Sequence, residues 1–103
     1  MIFRRRFADV VKTQLDLFEG EHASLVRAAA DAERAYDGAD REQAEERYAD
    51  YLDLVETGVE LLAGLRDNYA STLDDDAGEV YERAFNRAAA RRLPRFRLEL
   101  DEI

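Results

Sequence analysis

The stretch YDGAD, residues 36–40, separates two segments of helical apolar periodicity, and the fold follows from where it falls. Gly38 predicts a helix stop, and Asp40 offers an N-cap carboxylate to the free N–H groups of the next helix. Before the break, Phe7, Val11, Leu15, Phe18, Leu25, Ala29, Ala32 and Tyr36 recur at steps of three, four or seven. That spacing lines one face of a helix, and His22 fills the single gap in it. One helix is therefore expected over the first third of the chain. After the break, Ala44, Tyr48, Tyr51, Val55, Gly58, Leu62, Leu65 and Tyr69 form a second stripe. Leu52, Leu54, Val59 and Leu61 widen it to about half the helix circumference. A helix this apolar is expected to touch two neighbours, while Glu46, Asp50, Asp53, Glu60 and Asp67 mark its solvated side.

A second boundary lies in STLDDDAGEVYERAF, residues 71–85, where caps and three acids suit a helix N-terminus. The helix that follows carries Val80, Tyr81, Ala84, Phe85 and Ala88 and must stop near Leu93, because Pro94 cannot continue it. The expected fold is all-α: a small antiparallel up-down-up three-helix bundle over residues 1–93, with two long helices and one short one. Residues 94–103 are expected as an extended C-terminal tail, since Phe96, Leu98 and Leu100 alternate with charged residues. Placing the turns near residues 38 and 73 brings Arg92 to the height of His22 and Val55. Above that height the two long helices would present an apolar groove with no third helix over it. Either the tail or a second chain is expected to fill it.

At 103 residues the chain has the size of one domain, and its 47% hydrophobic and 38% charged residues suit a folded helical protein. It contains no Cys, which excludes disulfides, thiol catalysis and sulfur-ligated zinc. MIFRRRF has charge without an apolar h-region, so no secretory signal is expected, and a cytoplasmic location follows by default. The net charge of −9 argues against a general nucleic-acid or membrane-surface binder. Its distribution is uneven: residues 1–12 carry +3, residues 13–82 carry −15, residues 83–97 carry +6 and residues 98–103 carry −3.

Four features compete for a functional role. Glu19-Gly20-Glu21-His22 spaces a carboxylate and an imidazole as di-metal helical bundles do, so Glu19 and His22 are the candidate metal ligands. This Glu-x-x-His resembles one half of the ferritin-like or encapsulated-ferritin pattern; the likeness implies iron or another divalent metal, held with Glu19 and His22 contributed by two subunits. The plainer expectation is a structural polar layer, in which Glu19, Glu21 or Glu56 serves as counterion to Arg91 and Arg92, while Gly58 leaves room for the imidazole. Arg4, Arg5 and Arg6 are expected to face Asp74, Asp75 and Asp76 at the opposite end of the bundle, or else an anionic surface. Arg83, Arg87 and Arg91 recur at i+4, with Arg92 beside them, and suit either the acidic neighbouring helix or an acidic partner. Phe96, Leu98 and Leu100 on the tail complete the partner-binding candidates.

No phosphate loop, Ser-His-Asp arrangement or paired-His motif is present, so the sequence names no reaction and no catalytic residue. The expected function is a non-enzymatic protein-interaction or assembly module, self-associating as a homodimer and needing no cofactor. The alternatives are the ferritin-like metal binder and an Arg-rich anionic-surface binder.

Overall fold

A computed structural model describes residues 6–97. They form four helices: α1 (Ala8–Glu21), α2 (Ala23–Asp37), α3 (Arg41–Ala70) and α4 (Asp75–Arg92), followed by a 3-10 turn at Pro94–Phe96. The described residues contain no strand. The expected Asp40 cap is made, Oδ1 accepting from Gln43 N at 3.0 Å, and within the stretch 71–76 that offered caps it is Asp74 whose Oδ1 accepts from Ala77 N at 2.8 Å. Gly38 closes α2 at φ −93°, with its N–H on Arg34 O, so the stop needs no left-handed residue.

The single first helix expected from the periodicity is in fact two. His22 sits between α1 and α2 at φ −120° and ψ 33°, outside the helical region. The two rods still abut, because His22 N–H reaches Phe18 O at 2.9 Å and His22 O accepts from Val26 N at 3.0 Å. Gly20, a poor helix former with no side chain to brace the turn, lies just before the break. The apolar stripe survives the bend, which is why periodicity did not reveal it.

Pairwise contacts fix the directions. Tyr36 stacks near Tyr48 at 5.2 Å between ring centres, and Glu33 meets Tyr51, so α2 and α3 are antiparallel. Tyr69 meets Tyr81 at 4.7 Å and Arg66 reaches Asn86, so α3 and α4 are antiparallel as well. Phe7 packs edge-on against Tyr81 while Arg92 meets Asp16 and Glu19, so α1 and α4 run parallel. α2, α3 and α4 thus alternate in direction, while the expected single first helix is divided at His22. At 30 residues, α3 spans about 45 Å of a molecule 51 Å long. The 18 residues of α4 span about 27 Å, so part of the α2–α3 hairpin extends beyond its end.

The tail departs from the expected extended form at its first residues. Leu93 takes φ −131° ahead of Pro94, and Pro94–Phe96 then closes a 3-10 turn with Phe96 N–H on Leu93 O. Phe96 is only 2% exposed. Its ring fills the notch left by Gly58: a Cβ at that position would overlap Phe96 Cε1. Phe18 closes the other side edge-on, 6.3 Å between centres. The space expected to receive an imidazole is therefore occupied by a phenyl ring. Residues 98–103 lie outside the described part, as do Arg4 and Arg5.

The core runs from Phe7, Val11, Leu15 and Phe18 through Val55, Val59 and Leu62 to Tyr81, Phe85, Leu93 and Phe96. Two polar groups lie within it. Arg66, 4% exposed, donates from Nη1 to Asn86 Oδ1 at 3.0 Å and from Nε to Asp67 Oδ1 at 2.8 Å, joining α3 to α4. Tyr81 is fully buried and its hydroxyl has no hydrogen-bond partner among the described residues. Burial, then the nearby Tyr69, pushes the Tyr81 phenol up to about 12.

Two outcomes follow for stability. Gly58→Ala gains about 1 kcal/mol of helix propensity but forces Phe96 from its notch, so a net loss of about 2 kcal/mol is expected in urea unfolding. In a Phe96→Ala background the same change should be neutral or stabilising. Tyr81→Phe removes an orphaned hydroxyl and should leave stability at neutral pH unchanged or raised by up to about 1 kcal/mol. Above pH 10 the unfolded chain loses the Tyr81 proton before the folded one does. Wild-type stability should therefore fall from about pH 10 to about pH 12. Urea unfolding across that range should show a smaller fall for Tyr81→Phe.

Candidate functional site

Three surfaces gather the residues that the sequence marks as functional. The first is the junction of α1 with the end of α4. Arg92 Nε donates to Glu19 Oε1 at 2.9 Å, and Nη2 reaches both Glu19 and Asp16. Lys12 Nζ binds Asp16 as well, at 2.9 Å. Lys12, then Arg92, holds the Asp16 carboxyl below its usual range, while Glu19 and then Asp16 raise Arg92. These groups are exposed to water, which screens the attraction, so they set the register of α1 on α4 more than they stabilise it.

Glu19 is therefore engaged as a counterion, as the plainer reading of the motif anticipated. Glu21 is exposed, and His22 is half-buried with its ring 5.2 Å from that of Phe18. Among the described residues no three His, Asp or Glu side chains converge on a point that could hold a metal.

The second surface is a groove of about 840 Å³ between α1 and α4. Its lining combines Ala8, Val11, Leu15, Ala84 and Ala88 with Lys12, Arg87, Arg91 and Arg92. The alanines on α4 open the groove because they fill little of the space beside the parallel α1. Lys12 and Arg92 are already paired with carboxylates. Arg83, Arg87 and Arg91 are exposed, and none of them forms an ion pair among the described residues. The expected pairing of this arginine row with the acidic neighbouring helix is thus not made within those residues.

The third surface lies beyond the end of α4, on the α2–α3 hairpin. Pro94, Arg95 and Arg97 line a cleft of about 420 Å³ together with Glu33, Tyr48, Tyr51, Leu52 and Val55. Arg95 pairs with Glu33, at 2.9 Å from Nη2 and 3.1 Å from Nε. Tyr51 approaches the same carboxylate at 3.5 Å, and burial, then Glu33, raises its phenol. Further out, Tyr36 and Tyr48 are 39% and 44% exposed, and Tyr48 continues the row to Tyr51 at 6.5 Å. Both rings were expected on the apolar stripe. They do face that way, but nothing among the described residues covers them.

Of the tail candidates, Phe96 belongs to the core and is closed to a partner, whereas Leu98 and Leu100 lie outside the described residues. At the far end Arg6 shares a surface depression with Asp74, Asp75 and Asp76. It makes no ion pair there among the described residues; its guanidinium lies 5.1 Å above the Phe7 ring instead. No helix among the described residues is long and apolar enough to cross a membrane. Compared with models of protein families, with curated protein sequences and with solved structures, the chain matches none.

Proposed function

We propose that this protein is a non-enzymatic assembly module that pairs with a second copy of itself. The observation that carries this reading is the exposed aromatic row of Tyr36 and Tyr48, running into Tyr51 and Leu52 where α2 and α3 outreach α4. A contiguous apolar and aromatic face beside a polar rim suits a partner surface. Tyrosine is favoured there because it contributes a large rigid area at low entropy cost and keeps a hydroxyl for water. The acidic side of α3 keeps its distance from this row, with Asp50, Asp53, Glu56 and Glu60 exposed. Those charges favour solubility of the pair over open-ended stacking.

Light scattering on the full chain should give about twice the 11.8 kDa chain mass. Tyr48→Glu should return the particle to the single-chain mass while moving stability by no more than about 0.5 kcal/mol, because the side chain is exposed. A wild-type chain that stays single at high micromolar concentration would contradict the reading.

A further inference from the structure

The groove between α1 and α4 calls for a ligand of defined chemistry. Its floor is apolar and shallow, made by Val11, Leu15, Ala84 and Ala88. Arg87 and Arg91, one helical turn apart, stand along one wall with no carboxylate engaged among the described residues. A fitting occupant needs aliphatic side chains to cover the floor and carboxylates spaced to meet the guanidinium groups. Outside the four helices, one short segment has that composition. Residues 98–103, LELDEI, combine aliphatic Leu98, Leu100 and Ile103 with Glu99, Asp101 and Glu102. Their charge of −3 is opposite in sign to the +6 block at residues 83–97.

We propose that the α1/α4 groove receives residues 98–103 of a second copy, so that two chains exchange their acidic tails. The place where the described residues end favours exchange over self-docking. Burial of Phe96 and the Arg95–Glu33 ion pair put Arg97 beside Tyr48, Tyr51 and Leu52. The groove lies between α1 and α4, and none of its lining residues borders that cleft. In a two-fold pair each tail meets the other chain's groove, which gives two identical contacts from one design. This inference rests on the self-association reading and specifies which segment meets which surface.

The test uses two full-length variants with reversed charge. Arg87→Glu with Arg91→Glu makes the groove acidic, and Glu99→Arg with Asp101→Arg and Glu102→Arg makes the tail basic. Arg87 and Arg91 are exposed, and circular dichroism melting would verify that both variants fold. Each variant alone should dissociate at least tenfold more readily than wild type in sedimentation equilibrium. An equimolar mixture should recover the wild-type dimer, because each tail then finds a groove of opposite sign on the other variant. Failure of the mixture to associate, with wild type dimeric and both variants single, would overturn exchange. Variants as dimeric as wild type would overturn the groove assignment and leave self-association standing. A wild-type chain that is single under all conditions would overturn both.

Discussion

The Phe96 ring in the Gly58 notch is the contact on which the rest of the architecture depends. It ties the chain segment after α4 to the middle of the longest helix, and Phe18 of α1 closes over it. Three elements distant in sequence are held by one aromatic side chain. A Leu or Val in place of Gly58 would leave no room for that ring. The backbone beyond Leu93 would then have no reason to turn back onto α3. Because Phe96 is anchored, α4 ends at a fixed height and Arg92 arrives where Asp16 and Glu19 can meet it. The same anchor aims Arg95 at Glu33 and brings the chain out beside the tyrosine row.

Much of this was legible in local sequence chemistry. Asp40 and Asp74 cap their helices because a carboxylate before a helical run has few better uses than the free N–H groups ahead of it. Pro94 ends α4 by sterics alone. The arrival of Arg92 at the height of the Glu-x-x-His stretch followed from counting residues back from two turns, which left its partner open among Glu19, Glu21 and Glu56. What escaped was non-local or invisible to periodicity. The break at His22 preserves the apolar stripe on both sides, so a pattern with a period of 3.6 passes through it undisturbed. Phe96 alternates with Leu98 and Leu100 as a strand would. Its real environment is set by a glycine far back in the chain, which no window of neighbouring residues contains. Arg66 sits on the core face of α3 between Leu62 and Tyr69, where Asp67 and the opposing Asn86 accept its hydrogen bonds. The arginine row on α4 was visible as a charge pattern, but the groove beside it arises from Ala84 and Ala88 facing a parallel α1.

Charge and shape then divide the molecule into two regimes. The three-helix section is closed, with aromatic rings from Phe7 to Phe96 filling its axis. The hairpin beyond α4 has only two helices to bury apolar surface that a third would otherwise cover. Small domains bury a modest fraction of their surface, and it is this uncovered section on which the proposed pairing rests. An acidic body with one basic, alanine-floored groove and one acidic, leucine-bearing tail has the complementarity for regular pairing. Within the Glu-x-x-His spacing, Glu19 meets Arg92 of α4 and His22 lies between α1 and α2.

The most direct test of the central contact is nuclear magnetic resonance of the full chain, reading the Gly58 Hα protons. Packing beneath the Phe96 ring should shift at least one of them upfield and give strong cross-peaks to the ring protons, both lost in Phe96→Leu. Gly58 Hα protons at ordinary helical positions, with no cross-peak to Phe96, would contradict the account.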